Sequence, residues 1–464
     1  MVSFLICVGA LAFLIFMAYR GHSVILFAPL AALGAVLLTD PSAVLPVYTN
    51  YFMTKMVVFV QLYFPVFLLG AIFGKVIEMS GFAKSIVVSV IKLLGPQRAI
   101  VSIVTVCALL TYGGVSLFVV VFAVYPFAAE MFREANIPKR LLPGAIALGS
   151  FSFTMDSLPG TPQIQNIIPT TFFKTTGLAA PVLGTLGALF IIVVGLTYLE
   201  WRRRAALAKG EGYGTGHILE PEAIPDENLV NPFIAILPLV LVGVLNIVFT
   251  YGMKSFYPDS IQVTLTPGGT AIAAQLASVR AIWAVIGALL IGILTVFAFA
   301  WRAIVSKFAD GSKAAIAGAL LATMNTGTEY GFGAVMAVLP GFLLISHALG
   351  AIPNPLVNEA ISVTTLAGLT GSASGGLSIA LAALSDQFIS AAQAYHIPME
   401  VLHRVASMAS GGMDTLPHNG AVITLLAVTG LTHRQSYIDI FAVTVTKTVA
   451  VFFVIAVYYL TGWV

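Results

Sequence analysis

The stretch Met155-Asp156-Ser157-Leu158-Pro159 occurs a second time, with one conservative replacement, as Met413-Asp414-Thr415-Leu416-Pro417. The two copies lie about 260 residues apart, and each follows the same two landmarks in the same order. The landmarks are a Gly-Gly-x-Ser sequence and then an Ile-Pro pair: Gly113-Gly114-Val115-Ser116 and Ile137-Pro138 in the first half, Gly375-Gly376-Leu377-Ser378 and Ile397-Pro398 in the second. The chain is therefore predicted to consist of two halves that are built alike.

The composition predicts a membrane protein. Hydrophobic residues make up 59% of the 464 residues and charged residues only 9%, whereas an average soluble domain carries about 25% charged residues. So few charges cannot cover a surface exposed to water, but they suit one exposed to lipid. Several apolar runs approach the roughly 20 residues that a membrane-spanning helix needs: 2–17, 24–38, 183–198, 232–250, 281–300 and 441–459. We expect an all-α, multi-pass protein in the lipid bilayer.

Further properties narrow the function. The net charge of +3 is too small to indicate a nucleic-acid partner. The first apolar run lacks a basic start and is followed by Arg20, so we do not expect a cleaved signal peptide. Cys7 and Cys107 lie in apolar spans and are expected to be packing residues without a disulfide. The sequence contains no HExxH, GxSxG, phosphate loop or Cys/His cluster, so we expect no enzyme, catalytic residue, metal or cofactor.

A polar segment at 201–231 divides the chain into a first repeat, 1–200, and a second repeat, 232–464. The segment begins with Arg202-Arg203-Arg204, and basic loops are typical of the cytoplasmic side. Counting basic loops outward from it places the loop 133–140 inside and its counterpart 396–404 outside. The two halves then have opposite orientations, which is the inverted-topology repeat found in many secondary transporters.

Four apolar segments are interrupted near their middle. The stretches 99–129 and 359–394 are broken by glycine- and hydroxyl-rich sequences at 111–114 and 370–376, which predicts two re-entrant helical hairpins. The stretches 141–171 and 401–428 contain the repeated motif. Because its proline removes a backbone donor and clashes with the preceding turn, we expect two broken helices. Irregular backbone at membrane depth is tolerated only inside protein or beside water. A further polar break is expected at 325–333.

The hairpin tips and breaks are expected to bind the substrate. Glycine lets backbone groups approach a ligand, and the N-termini of opened helices attract a carboxylate. The alternative is that small residues only let helices pack closely, but their matched positions in both halves favour a site. The candidate substrate-binding residues are Thr111, Tyr112, Gly113, Gly114, Ser116, Ser157, Gly160, Thr161, Gln163, Thr370, Gly371, Ser372, Ser374, Gly375, Gly376, Thr415 and Asn419.

Four titratable residues are candidates for proton or ion coupling. A carboxylate inside a membrane is costly unless it is paired, protonated or bound to a cation, so Asp156 and Asp414 at the predicted breaks are expected to be functional. Each could also cap the second half of its broken helix. His418 could relay a proton or be a hydrogen-bonded structural residue. Glu329 could line the pathway or face a cation, or it could equally pair with a basic residue in a scaffold domain or lie at an interface.

The chain resembles the gluconate permease (GntP) family of the ion transporter superfamily in four sequences: Leu110-Thr111-Tyr112-Gly113-Gly114-Val115-Ser116, Ile137-Pro138-Lys139-Arg140, Met155-Asp156-Ser157-Leu158-Pro159-Gly160-Thr161-Pro162-Gln163 and Met413-Asp414-Thr415-Leu416-Pro417-His418-Asn419-Gly420. The resemblance covers the whole chain and is greater to permeases for D-β-hydroxybutyrate than to those for gluconate. It implies a bacterial inner-membrane symporter, with scaffold helices at 1–97 and 232–355 and transport parts at 98–200 and 356–464. It also implies an elevator-type movement and a homodimer.

The chain lacks the Ser-Asn-Thr tip motif of the superfamily's sodium-coupled dicarboxylate members, which favours protons as the coupling ion. The sequence therefore predicts a secondary active transporter for proton-coupled uptake of a small hydroxycarboxylate, such as D-3-hydroxybutyrate or gluconate. Sodium-coupled symport and cation/proton antiport are alternatives. A passive anion channel is another, although a channel could not accumulate its solute.

Overall fold

The computed structural model of the chain describes residues 2–20, 22–95, 98–217, 220, 229–266, 269–342, 352–417 and 419–464. Within these ranges the regular structure is helical apart from one antiparallel pair of short strands. Six of the described helical segments are long and apolar enough to cross a membrane: Pro41–Met79, Pro181–Ala208, Pro232–Phe256, Leu276–Val305, Ala373–Ala394 and His433–Thr461. The prediction of an all-α polytopic membrane protein is confirmed.

The first half begins with the helices α1–α5 and continues into a hairpin and a broken helix. Its helices are α1 (Val2–Tyr19), α2 (Val24–Thr39), α3 (Val44–Pro46), α4 (Met53–Met79), α5 (Phe82–Leu94), α6 (Ala99–Tyr112), α7 (Leu117–Glu134), α8 (Leu142–Ser150), α9 (Phe153–Asp156), α10 (Ile164–Phe173) and α11 (Pro181–Ala208). A π-helical stretch, Val47–Phe52, leads into α4. We call α6–α7 the first hairpin and α8–α10 the first broken helix.

The second half repeats this order. Its elements are α12 (Pro232–Phe256), β1 (Ser260–Val263), β2 (Ile272–Gln275), α13 (Leu276–Val305), α14 (Phe308–Val338), α15 (Pro355–Thr370), α16 (Ala373–Ala394), α17 (Met399–Gly411), a 3-10 turn at Gly412–Thr415, α18 (Gly420–Thr429) and α19 (His433–Thr461). In β1–β2, Ser260 pairs with Gln275 and Val263 with Ile272. We call α15–α16 the second hairpin and α17–α18, with the turn between them, the second broken helix.

Both hairpins and both broken helices lie where the sequence predicts them, for local reasons. Gly114, with φ of +95°, lets the chain turn between α6 and α7, and Gly371, with φ of +67°, ends α15. These are left-handed conformations that glycine adopts without strain. The proline of each repeated motif lies in the gap that separates the halves of its broken helix, where no helical hydrogen bond is required.

The helices pack in two groups. In the first group α4 packs against α13 and α14, and α12 packs against α13. In the second, α6 packs against α8, α15 against α17, and α19 against α11 and α17. Contact between α14 and α16 joins the groups, and there Gly333 lies so close to α16 that a Cβ would be 2.7 Å from the Cα of Ile379.

Two expectations about the backbone are wrong, and the segment between the halves starts as helix. The polar segment 325–333 is not a break but part of the continuous helix α14. Its threonines satisfy their hydroxyls within the helix, since Thr326 donates to the carbonyl of Ala322 and Thr328 to that of Met324. The segment expected to link the halves begins as helix, because α11 continues through the arginines to Ala208. The pair Gly375-Gly376, expected in a hairpin tip, lies inside the first turn of α16.

Candidate substrate and coupling site

Each hairpin tip is attached to the broken helix of its own half by one side-chain amide. In the first half, Gln163 Nε2 donates to the carbonyl oxygen of Thr111 at 2.7 Å. In the second half, Asn419 Nδ2 donates to the carbonyl oxygen of Gly371 at 2.9 Å. Gln163 and Asn419 both lie just after the repeated motif and precede the second part of the broken helix. The structure therefore brings the predicted tips and breaks together in pairs.

The first tip is held closely by its surroundings. Tyr112 donates its hydroxyl to the carbonyl of Pro159 at 2.8 Å, and a Cβ on Gly113 would lie 2.5 Å from a side-chain carbon of Leu239. Thr111 is fully buried, and its hydroxyl has no hydrogen-bond partner in the described part of the chain. A buried hydroxyl without a partner is uncommon, so Thr111 offers a free group for a ligand. Gly113 is a packing residue.

Two residues of the first break form hydrogen bonds that involve backbone carbonyls. Gly160 has φ of +82°, and its carbonyl accepts a hydrogen bond from Asn246 Nδ2 of α12 at 3.0 Å. Thr161 donates to the carbonyl of Thr154 at 2.7 Å. Ser116, before α7, makes no side-chain cap to that helix. The bonds of Gly160 and Thr161 shape the break. The start of α7 has no side-chain cap.

The second tip is built more tightly. Ser372 caps α16, since its hydroxyl accepts from the N–H of Gly375 at 3.0 Å, and Thr370 bonds to backbone carbonyls of its own helix. A Cβ on Gly376 would overlap the backbone of Ala367, so this glycine lets the two arms of the hairpin touch. Ser374 lies 3.5 Å from the hydroxyl of Thr326 on α14. Gly376 thus fits the packing interpretation rather than ligand binding.

Asp414 links the two halves of the protein. Its Oδ2 accepts a hydrogen bond from Gln165 Nε2 of the first half at 2.8 Å, and its Oδ1 accepts one from the backbone N–H of Ala373 at 3.2 Å. Asp414 therefore caps the second hairpin helix, α16, and not its own half-helix α18, which Asn419 caps. The neighbouring Thr415 shares a hydrogen bond with Thr444 of α19 at 2.6 Å.

Asp156 is part of a fully buried ion pair. Its Oδ2 lies 2.9 Å from Nζ of Lys447, and both side chains are 1% exposed. Its Oδ1 accepts a hydrogen bond from Ser157 at 2.6 Å. The capping expectation for Asp156 is wrong, since Asp156 ends α9 and α10 begins after Gln163, with no side-chain cap. Lys447, on α19, lies in the apolar run 441–459 and was not among the residues that the sequence singled out.

Arg404 is a second buried cation that the sequence did not single out. It is fully buried and donates to the carbonyl of Asp156 at 2.8 Å, to Oδ1 of Asn166 at 3.0 Å and to the carbonyl of Ala179 at 2.7 Å. His403 beside it is also fully buried, against Thr175 and Asn166. In the sequence, the sign that both residues belong near the site is their position in the helix that precedes the second repeated motif.

Glu329 faces the second hairpin from α14. It is 3% exposed, and its Oε2 has no hydrogen-bond partner among the described residues. A Cβ on Gly375 would overlap that oxygen, so the carboxyl group lies against the backbone of the hairpin. The pairing of Glu329 with a basic residue, one of the alternatives from the sequence, is not found among the described residues. His418 lies outside the described residues.

Three further features concern metal binding, an apolar cavity and the cysteines. The described part of the chain holds no group of three or more His, Cys, Asp or Glu side chains that could bind a metal ion. An apolar cavity of about 130 Å³ lies between α1, α14 and the second hairpin, beside Cys7, Phe332 and Ile379. None of its lining residues is charged, so it offers no ion pair to a carboxylate substrate. Both cysteines are buried and free, as expected.

No family model matches the chain. Among solved structures, the YdaH transporter of Alcanivorax borkumensis aligns with a TM-score of 0.48 at 14% sequence identity, over 89% of this chain and 88% of that one. Among curated proteins, the uncharacterized transporter YxjC of Bacillus subtilis is 58% identical over 464 residues, which cover 98% of each chain. At that identity over almost the full length, the chain belongs to the same family of transporters as YxjC.

Proposed function

We propose that the protein takes up a small hydroxycarboxylate, of the kind that D-3-hydroxybutyrate and gluconate represent, together with protons across the bacterial inner membrane. The observation that carries this proposal is the convergence of the second hairpin and both broken helices on two buried carboxyl groups, Asp156 and Asp414, while Gln163 joins the first hairpin to the first broken helix. The substrate class rests on the sequence resemblance to the gluconate permease family. An elevator-type movement and a homodimer, implied by the same resemblance, belong to the proposal.

The substrate carboxylate is proposed to bind at the first hairpin. There the N-termini of α7 and α10, at Ser116 and Gln163, have no side-chain caps, whereas Ser372 and Asn419 cap the corresponding helices of the second half. Uncapped helix N-termini present free N–H groups and the positive end of the helix dipole to an anion. The unpartnered hydroxyl of Thr111 lies in the same tip and can bond a substrate hydroxyl.

Asp414 is the proposed proton carrier. The negative charge of Asp156 is balanced by Lys447, whereas both oxygens of Asp414 accept only N–H groups of neutral partners, Gln165 and Ala373. A proton on either oxygen would compete with one of these two bonds. Protonation would therefore loosen the connection of the second hairpin to the first half, which couples the proton to hairpin movement. Glu329, whose carboxyl group lies against Gly375 of that hairpin, is a second candidate.

Uptake by proteoliposomes tests the proposal. Labelled D-3-hydroxybutyrate and gluconate are offered under an imposed inward proton gradient without sodium. We expect accumulation of at least one substrate, collapsing when a protonophore is added. Accumulation that appears only with sodium would exclude proton coupling, and no uptake of either substrate by folded protein would exclude the substrate class. The variant Asp414→Asn should lose accumulation, and Asp310→Asn, which removes a carboxylate that is 92% exposed, should retain it.

A further inference from the structure

The side chain of Lys447 ends among three oxygen atoms from three separate segments. Nζ lies 2.9 Å from Oδ2 of Asp156, donates to the carbonyl of Phe151 at 2.8 Å and donates to the carbonyl of Gly411. Phe151 is the C-cap residue that follows α8, and Gly411 is the last residue of α17. One ammonium group therefore joins the first broken helix to the second, at the point where each helix opens.

These oxygens have the chemistry of a cation site in a secondary transporter. The C-terminal end of a helix carries partial negative charge on its free carbonyls, and in transporters with broken helices such carbonyls coordinate the coupling cation. Oxygen ligands from carbonyls and a carboxylate are also those that hard metal cations prefer. Asp156 adds one full negative charge, and its Oδ2 has no directed hydrogen bond, so it interacts with Lys447 as charge with charge.

The chain makes room for this ammonium group. A Cβ at Gly411 would overlap Oδ2 of Asp156 and would lie 3.0 Å from Nζ of Lys447. Any other residue at 411 would therefore push the carboxylate and the ammonium apart. Neutralising Asp156 alone would not require Lys447 to bond the carbonyls of Phe151 and Gly411. A cation that stabilises the ends of both opened helices must contact both carbonyls, as Nζ does.

We propose that the ammonium group of Lys447 is a cation fixed to the chain in the position of a coupling sodium ion, so that the protein needs no sodium and binds none. This inference rests on the proposed function in that it explains why transport would run on protons. It also makes a prediction of its own. Shortening Lys447 should leave Asp156 and the two carbonyls as an empty site that a sodium ion can enter.

Sodium binding tests this inference without any transported substrate. Purified wild type, Lys447→Ala and Lys447→Met are melted in detergent with sodium chloride or with choline chloride at the same ionic strength, and binding of radioactive sodium is measured in parallel. We expect no sodium effect on the wild type, because the ammonium occupies the site. We expect Lys447→Ala to bind sodium and to melt a few degrees higher in sodium than in choline, since a ligand that binds only the folded state stabilises it.

Lys447→Met is the matched control, because it also removes the charge but keeps a long side chain in the space. It should show no sodium effect, and Asp156→Asn added to Lys447→Ala should abolish the effect. Equal melting of folded Lys447→Ala in sodium and choline, without sodium binding, would overturn the inference. So would sodium binding by the wild type.

If Lys447→Ala cannot be purified in choline, its recovery in sodium supports the inference. Loss in both salts, while Asp156→Asn/Lys447→Met is recovered folded, overturns it. Failure of the wild type to take up either substrate would refute the proposed function and leave the sodium-binding result unaffected.

Discussion

Breaking the buried ion pair between Asp156 and Lys447 should cost more stability than removing any exposed pair in the protein. Both partners are 1% exposed, and leaving one buried charge without its partner typically costs about 3–5 kcal/mol. Asp156→Asn should lie near about 3 kcal/mol, because the ammonium keeps its two carbonyl acceptors. Lys447→Met should lie near about 5 kcal/mol, because the carboxylate keeps only the Ser157 hydrogen bond.

The double variant Asp156→Asn/Lys447→Met decides whether the pair acts as a unit. Replacing both members of a buried ion pair by uncharged residues is often neutral, so we expect the double variant to lie within about 2 kcal/mol of the wild type. Stabilities are read from reversible unfolding in mixed micelles, with the free energy extrapolated to zero denaturing detergent. The control is Lys75→Met, which breaks an exposed pair with Glu78 at 2.8 Å and should cost less than about 1 kcal/mol.

The reasoning would be refuted by additive losses. If the double variant lost the sum of the two single losses, the two groups would contribute separately and the short distance between them would carry no coupling energy. A loss below about 1 kcal/mol for both single variants would be equally damaging, since that is the range of exposed pairs.

Three further predictions concern the site and the linker. Gly375→Ala should reduce uptake strongly, because its methyl group would overlap the Glu329 carboxyl, and Glu329→Ala in the same chain should restore hairpin packing, seen as recovered thermal stability. Asp414→Asn should abolish accumulation driven by a pH gradient while substrate exchange across the membrane continues, as measured by counterflow of labelled substrate. The hydrogen bond from Arg140 holds the pKa of Glu211 below its usual value. The ionised Glu211 should therefore stabilise the fold fully above about pH 4.3, the unfolded pKa of a glutamate, and this stabilisation should be lost at lower pH. Glu211→Gln should abolish this pH dependence in melting curves.

The sequence was sufficient to predict the repeated elements that form the candidate site. Asp156 and Asp414 were found because an acidic residue, a proline and an apolar setting coincide twice at matched positions. The hairpins were found because glycine and hydroxyl residues interrupt runs of membrane length. These signals are local in the sequence, so they can be recognised without knowing which segments contact one another.

The parts that the sequence did not reveal depend on contacts between distant segments. Lys447 becomes significant only when α19 lies between two opened helices, and nothing near it in the sequence indicates that. Asp414 caps a helix that begins 41 residues before it, a pairing that no local capping rule predicts. The polar segment around Glu329 was mistaken for a break because its threonines satisfy their hydroxyls inside a continuous helix.

The amide bonds of Gln163 and Asn419 to the hairpin tips have a consequence for leakage. A single hydrogen bond of this kind contributes about 1 kcal/mol net. Removing either bond should therefore make its tip open about five times more often, because 1.4 kcal/mol is a factor of ten. Removing both should make simultaneous opening about thirtyfold more frequent if the two bonds act independently. The two amides thus add to the hydrogen bonds of Tyr112 and Asp414 in keeping the tips closed, and their loss would make a continuous leak path for the solute less rare.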